Sequence, residues 1–138
     1  MMLTPQLVGR AENAHRPVLD RILAGTGTSR DQWVALTLTA SAGGTVDRRT
    51  LAGHLTDALK VDAGTAEAAI AGLTGAGLLA DDPDARVGLT GAGRAHHARI
   101  RSAVDDVVAR VYGDIPAADL ATAGRVLALV TERLNALR

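Results

Sequence analysis

The 138-residue sequence contains no cysteine and no phenylalanine, and its aromatic side chains are one Trp and one Tyr. Without cysteine, the chain has no disulfide, no thiolate metal ligand and no thiol nucleophile. Neither sign of charge predominates, because Lys and Arg total 15 and Asp and Glu also total 15. This balance excludes binding to nucleic acid through bulk positive charge, so any basic site has to be local.

Long apolar runs are also missing. No stretch approaches the roughly eighteen consecutive apolar residues that a membrane-spanning helix needs. The N-terminus lacks the basic start and apolar run of a secretory signal. We therefore expect a cytoplasmic protein with no membrane partner. Hydrophobic residues make up 47% of the chain, which argues against disorder and predicts one domain with a core of Leu, Val, Ile and Ala.

Hydrophobic periodicity predicts six helices and one hairpin. The first helix covers about residues 4–24, and Pro17 is expected to kink it or split it near Arg16. Ser29 and Gln32 form the capping-box pattern at the start of the second helix. Further helices are predicted over about 47–59, 63–76, 91–112 and 117–137, with a hairpin formed by two short apolar runs around a turn at 81–84.

This order of elements predicts an all-α protein with a small β-hairpin, because a helix-turn-helix followed by a hairpin is a winged helix. The last helix carries apolar residues at alternating spacings of three and four, a seam suited to packing on another helix. These residues are Leu120, Ala123, Leu127, Val130, Leu134 and Leu137. The helices at 4–24 and 91–137 are too long for the lobe at 29–90 to cover, so we expect a homodimer formed through them.

At this point the chain resembles the MarR family of bacterial transcriptional regulators over nearly its whole length. The resemblance is carried by Gln32-Trp33-x-x-Leu36, Leu51-Ala52-x-x-Leu55, Leu73-x-x-x-Gly77-Leu78-Leu79, and Asp84-x-Arg86 followed by Leu89-Thr90-x-x-Gly93-Arg94. It implies a homodimer held by the first, fifth and sixth helices. It also implies two lobes in successive major grooves of duplex DNA, and a small aromatic effector bound between the dimer helices and the lobe.

The sequence departs from this family on its recognition helix. Aligning Gly77 with the family's glycine places residues 64–73 on that helix, with positions 64, 65, 67, 68, 71 and 72 facing outward. Only Thr65 and Glu67 offer hydrogen-bonding side chains there, whereas family members usually present several donors. Glu67 can accept a hydrogen bond from cytosine, but it also repels phosphate. The wing is shorter than the family's and carries three Asp and one Arg.

Local basic residues supply the remaining DNA-binding candidates. Arg48 and Arg49, at a helix start, are placed to contact phosphates, which position a protein without specifying sequence. Lys60 and Arg86 are further candidates. The alternative for Arg48 and Arg49 is solvated surface charge. For Arg86, the resemblance implies internal bracing of the wing through Asp84 as the main role.

A second group of candidates concerns a small-molecule ligand. His15 lies on the apolar side of the first helix beside Arg16 and after Arg10, in the helix that the resemblance places at the ligand pocket. Arg pairs with a carboxylate and His donates to a phenolate, while Trp33 would supply an aromatic wall. The alternative is a His15 satisfied by a backbone carbonyl, Trp33 in the core and both Arg residues in salt bridges.

The fifth helix adds His96, on its apolar stripe, and Tyr112, at its end, as ligand-binding candidates. His96 is otherwise expected to be a satisfied interface histidine. His97 falls on the polar side and is expected to be solvated. Adjacent helical residues point about 100° apart, so the two histidines do not share a metal ion. No metal site and no cofactor are predicted. No catalytic residue is predicted either, since no Ser has an adjacent His that could serve as its base.

The resemblance implies one function, and the departures from the family suggest an alternative. The leading one is a MarR-type, ligand-responsive transcriptional regulator that binds duplex DNA as a homodimer. The alternative is a protein that retains the fold but has lost DNA reading. Such a protein would bind, sequester or transform a small aromatic or natural-product-like molecule in the effector pocket, with Arg10, His15 or Arg16 as the working groups if it is an enzyme.

Overall fold

The computed structural model describes residues 1–138, which form six helices and three short strands. The elements are α1 (Pro5–Leu23), α2 (Arg30–Ser41), β1 (Thr45–Asp47), α3 (Arg48–Leu59), α4 (Ala63–Gly75), β2 (Leu79–Asp82), β3 (Arg86–Leu89), α5 (Gly91–Tyr112) and α6 (Ala117–Ala136). The chain divides into two compact units, residues 1–104 and 105–138. The predicted mostly helical, winged helix-turn-helix fold is confirmed.

Side-chain caps define where the helices of the first unit begin. The predicted capping box is present, because Ser29 Oγ accepts from the Gln32 amide at 3.2 Å and Gln32 Oε1 accepts from the Ser29 amide at 3.0 Å. Asp47 accepts from the Thr50 amide at the start of α3, and Asp62 accepts from the Thr65 amide at the start of α4. Each cap satisfies a backbone N–H that a helix leaves unpaired at its first turn.

The main core lies where α2, α3 and α4 meet the sheet. Its largest fully buried side chains are Leu36, Thr39, Leu51, Leu55, Ile70, Leu73, Leu79 and Val87. Burying one such aliphatic side chain contributes about 1.5–3 kcal/mol relative to leaving it exposed. The polar member, Thr39, is satisfied because its hydroxyl donates to the Ala35 carbonyl at 2.8 Å. This core fixes α4 against α3 and turns the opposite face of α4 to solvent.

The wing is a three-stranded antiparallel sheet in the order β1-β3-β2. The hairpin prediction is confirmed, but β2 continues through Asp81 and Asp82, which were expected in the turn. β1 was not predicted at all, because three residues with one buried side chain, Val46, carry too little periodicity to detect. Val46 pairs with Val87 of β3, so the start of α3 is tied to the wing.

Helix α4 ends in a turn that leads directly into the wing. Gly77 has φ of +75°, a left-handed conformation that glycine adopts without steric cost. The Leu78 amide then donates back to the Leu73 carbonyl at 3.0 Å, and the Gly77 amide donates to the Thr74 carbonyl at 3.1 Å. This pair of bonds is the Schellman arrangement. It positions β2 beside the C-terminal end of α4.

Of the two outcomes expected at Pro17, a kink or a split of the first helix, the split does not occur. α1 runs without interruption from Pro5 to Leu23 with Pro17 inside it. Proline removes one helical hydrogen bond, whose acceptor would be the carbonyl of Asn13. Asn13 is exposed, so water can take the place of the missing donor.

Within residues 105–138, α6 has no buried residue. Its exposed large apolar side chains are Val126, Leu127, Leu129, Val130 and Leu134, and Leu137 follows the helix. Four of them, Leu127, Val130, Leu134 and Leu137, belong to the predicted seam. No helix of the chain is both long enough and apolar enough to span a bilayer.

Candidate nucleic-acid interface

The exposed face of α4 is the surface that a helix-turn-helix presents to a DNA groove. Its inward side chains, Ala66, Ala69, Ile70 and Leu73, are all buried, as predicted. The outward positions 64, 65, 67, 68, 71 and 72 are all exposed, also as predicted. Thr65 and Glu67 are therefore the hydrogen-bonding side chains on an otherwise small, smooth face made of Gly and Ala.

Arg48, the first residue of α3, joins three elements of the lobe. Its Nε and Nη2 donate to Oε2 of Glu67 on α4 at 3.2 and 3.1 Å. Its Nη1 donates to Oδ1 of Asp81 on β2 at 3.1 Å. The three side chains remain 31%, 47% and 64% exposed, so each ion pair contributes at most about 1 kcal/mol. Their effect is therefore geometric, since the guanidinium holds Glu67 in one orientation.

Sequence reasoning missed this network. The residues lie 19 and 33 positions apart in the chain, so no helical or strand spacing relates them. Arg48 was expected either to contact phosphate or to remain solvated. Instead, its charge is already opposed by two carboxylates in the protein.

The other basic candidates are placed differently. Arg49 is exposed beside Arg48, and the Lys60 ammonium lies 3.4 Å from Oδ1 of Asp57. Arg86 donates from Nε to Oγ1 of Thr45 at 3.3 Å, across the sheet. The expected brace between Arg86 and Asp84 is wrong, because Arg86 stands in register with Asp47 and Asp82 while Asp84 lies in the turn. Arg86 therefore fastens β3 to β1.

Electrostatics at the start of α3 favour a charged Asp47. The pKa of Asp47 is lowered, mainly by the hydrogen bond from the Thr50 amide, and the nearby charge of Arg86 lowers it further. The pKa of Asp62 is lowered in the same way by the Thr65 amide at the start of α4. Both helix starts therefore carry a negative charge that is stabilised by backbone N–H groups.

A second cluster surrounds the single tryptophan. Trp33 is buried with Leu23 and Ile100, and α1 and α5 supply further apolar contacts from Leu19, Ile22 and Val104. Trp33 is therefore buried in this cluster in the single chain. The ring of His97 stacks on the indole, with 4.9 Å between ring centroids and 21° between planes.

The expectation that His97 is solvated is wrong, because Trp33 covers it and leaves it half-buried. Its Nε2 is buried and has no hydrogen-bond partner. Burial lowers the pKa of His97, and the nearby charge of Arg101 lowers it further. A neutral imidazole with an unpaired nitrogen is thus held against the aromatic ring.

Both ring nitrogens of His96 on α5 have hydrogen-bond partners. Its Nε2 shares a 2.7 Å hydrogen bond with Oγ1 of the buried Thr28, and the Arg99 guanidinium lies 3.5 Å from Nδ1. Because arginine can only donate, Nδ1 is the acceptor and Nε2 carries the proton. His96 therefore fixes the loop between α1 and α2.

The candidates on α1 are exposed in the single chain. Arg16 pairs with Glu12 at 3.6 Å, one turn earlier on the helix. His15 donates from Nδ1 to the Ala11 carbonyl at 2.7 Å, and Arg10 is exposed. Tyr112 is half-buried at the end of α5. Arg10, His15 and Arg16 are thus exposed on α1, whereas Trp33 is buried.

A shallow pocket of about 270 Å³ lies instead at the base of the wing. Asp82 and Arg94 supply its charged groups, and Thr45 and Thr90 supply hydroxyls. None of the predicted ligand-binding residues lines it.

The stacked pair offers a direct optical test. Trp33 emission is expected to decrease as the pH falls, with a midpoint below 6.5, because a protonated imidazole quenches an indole stacked on it. The midpoint lies below the ordinary value because burial disfavours the charged ring. By linkage, the folded state binds fewer protons than the unfolded chain in this range. The contribution of His97 to the stability of the fold is therefore fully present above about pH 6.5, and it is lost as the pH falls below that value.

Fluorescence titration of the wild type and of His97→Gln measures both effects. The variant is expected to lose the optical transition and part of the acid dependence of its melting temperature, while His96→Gln keeps the transition. A midpoint above 6.5, or an unchanged transition in His97→Gln, would contradict this placement of the ring.

Comparison with known proteins gives matches at the level of structure only. The sequence matches no protein-family model and no curated protein. The reduced form of MarR from Escherichia coli superposes with a TM-score of 0.70 at 21% identity, covering 94% of each chain. NadR in complex with 4-hydroxyphenylacetate gives a TM-score of 0.77 at 20% identity, covering 95% of this chain and 96% of that one.

A MarR family protein of Mycobacterium tuberculosis matches in two states. Its complex with DNA gives a TM-score of 0.70 at 22% identity, covering 94% of this chain and 98% of that one. Its complex with salicylic acid gives a TM-score of 0.64 at 25% identity, covering 90% of this chain and 94% of that one. The fold and the exposed α4 define a winged helix-turn-helix protein. More narrowly, the chain has the fold of the MarR family regulators, which confirms the fold that the motifs implied.

Proposed function

We propose that this protein is a regulator that binds duplex DNA as a homodimer and responds to a small molecule. The observation that carries the proposal is the exposed face of α4, clear of the core and flanked by the wing. The MarR family protein of Mycobacterium tuberculosis that shares this fold has been captured with DNA. Recognition helices of such dimers enter successive major grooves about 34 Å apart.

The dimer would form through α1, α5 and α6 of two chains, leaving the lobe at 29–90 for DNA. Support comes from the apolar side chains that α6 exposes at its predicted seam, including Leu127, Val130 and Leu134. Large exposed apolar patches mark protein interfaces in soluble chains. A twofold dimer brings the same seam of each chain together.

Phosphate contacts in this proposal come mainly from Arg49, with Lys60 and Arg86 at the edges of the surface. Arg49 is exposed at the start of α3 and makes no ion pair. Arg48 contributes less, because Glu67 and Asp81 oppose its charge. Thr65 and Glu67 face the base edges.

The effector would be a small aromatic acid. The structural relatives include complexes with salicylic acid and with 4-hydroxyphenylacetate. In this chain, the unpaired Nε2 of His97 beside Trp33 offers a polar atom next to an aromatic wall. We keep Arg10, His15, Arg16, His96 and Tyr112 as candidates for the remaining contacts.

One observation favours the second function, a small-molecule binder without DNA activity. The Arg48 network brings two carboxylates to the surface that would face phosphate, against one guanidinium. A protein whose function depends only on a ligand pocket can tolerate this negative charge on the face of α4. Absence of DNA binding at low salt, together with quenching of Trp33 by aromatic acids, would favour that function.

Arg49→Ala tests the proposed phosphate contact. The variant is expected to bind every duplex more weakly and to reduce the slope of log affinity against log salt by about 0.9 for each phosphate released, or about 2 for the dimer. Titrations at several salt concentrations measure this slope. Arg125→Ala, which removes the same charge from α6, is the matched control and is expected to keep the wild-type slope. An unchanged slope in Arg49→Ala would remove Arg49 from the interface.

A further inference from the structure

The two carboxylate oxygens of Glu67 have different roles in the structure. Oε2 accepts both hydrogen bonds from Arg48, at 3.2 and 3.1 Å. Oε1 accepts none, and the side chain is 47% exposed. Glu67 lies in the N-terminal half of α4, five residues after its cap Asp62. The free oxygen is therefore on the part of a recognition helix that reaches base edges.

Arg48 removes two obstacles to using this oxygen. An isolated carboxylate near DNA is repelled by phosphates, and pairing with a guanidinium that Asp81 shares offsets part of that charge. A free Glu side chain also loses rotamer entropy when it is ordered by a partner. Because Arg48 also donates to Asp81 on β2 at 3.1 Å, the guanidinium that holds Glu67 is itself fixed to the wing before DNA arrives.

The chemistry of the groove then limits what Oε1 can select. A carboxylate only accepts hydrogen bonds, and in the major groove its usual partner is the N4 amino group of cytosine. The neighbouring exposed residues Ala68 and Ala71 have no polar side-chain atoms, so they do not compete for the same base. Methyl groups of this kind contact the methyl of thymine.

We propose that Glu67 selects cytosine at one position of each half-site and that Arg48 is the positioning residue that holds it. The inference rests on the DNA-binding function proposed above. It assigns to Arg48 a role in specificity rather than in bulk affinity. In the opposing account, the negative charge of Glu67 only repels DNA, and it weakens binding to all sequences equally.

Selection from a random duplex library, using the full-length protein, separates these accounts. The wild type is expected to enrich a motif with cytosine at one position per half-site, preferred at least about fivefold over other bases. Glu67→Ala is expected to lose the preference at that position only. Glu67→Gln is expected to change the preferred base at that position from cytosine to adenine, because an amide side chain recognises adenine through N6 and N7. Glu132→Gln on α6 removes the same charge elsewhere and is expected to keep the wild-type motif.

Arg48→Lys tests the positioning role, because lysine keeps the charge but cannot donate to Glu67 and Asp81 through a rigid fork. We expect a weaker cytosine preference with an unchanged salt slope. If Arg48 only contacted phosphate, Arg48→Ala would instead reduce the slope by about 0.9 per contact and leave the motif unchanged.

The outcomes are distinct. If the wild type enriches a motif and both Glu67 variants enrich the same one, the inference is overturned while the proposed function stands. The same holds if the variants bind all sequences more tightly with unchanged preferences. If the wild type enriches nothing and binds no duplex at low salt, the proposed function fails, and this inference fails with it.

Discussion

Gly93→Ala is expected to lower the free energy of unfolding by about 3 kcal/mol, with a fall in melting temperature of about 10 °C. A Cβ built on Gly93 would overlap the carbonyl oxygen of Leu78 and lie 3.0 Å from its carbonyl carbon. These are backbone atoms between α4 and β2, so no flexible side chain can move aside. The first turn of α5 would have to shift away from the base of the wing.

Thermal and urea unfolding followed by circular dichroism measure this effect. Gly91→Ala is the matched control, because it adds the same methyl group to the same turn of α5, where nothing lies within 4 Å. That variant is expected to unfold within about 1 kcal/mol of the wild type. Equal stability of the two variants would show that α5 does not pack on Leu78 as closely as described.

Leu127→Glu is expected to abolish the proposed homodimer. The side chain is 41% exposed in the single chain and lies at the centre of the α6 seam, so a carboxylate there would be buried against apolar side chains of the partner. An uncompensated charge in such a contact costs several kcal/mol, enough to shift a micromolar dimer to monomer. Light scattering after gel filtration is expected to give twice the 14.2 kDa chain mass for the wild type and the single mass for the variant.

Ala121→Glu is the control for this substitution. It places the same charge on α6, on the side of the helix opposite the exposed apolar side chains, and is expected to remain dimeric. A wild-type protein of single-chain mass would contradict the assembly and would leave the two-lobe geometry on DNA without support.

Local patterns predicted most of the fold. The Ser29 and Gln32 cap, the inward and outward sides of α4, and the bounds of α5 all depend on residues within a few positions of one another. Helical periodicity and capping chemistry act over that range. β1 was not predicted because its one buried residue, Val46, is fixed by pairing with Val87, 41 positions later in the chain.

The candidate site was less predictable, since its main contacts are between elements. Glu67 and Arg48 were both identified from their local positions, but nothing in the sequence indicates that one holds the other. Likewise, His97 falls on the polar side of α5 by periodicity, yet stacks on Trp33 because α2 packs beside it. Where the sequence allows a side chain two environments, tertiary packing determines which of the two it occupies.

Fluorescence anisotropy tests the central claim, DNA binding by the winged-helix lobe, most directly. A labelled duplex from the region upstream of the gene would be titrated beside a scrambled duplex of the same composition, at about 50 and 200 mM salt. The account predicts binding at least about tenfold tighter to the upstream duplex, weakening as salt rises. No binding of either duplex at the lower salt concentration would contradict it.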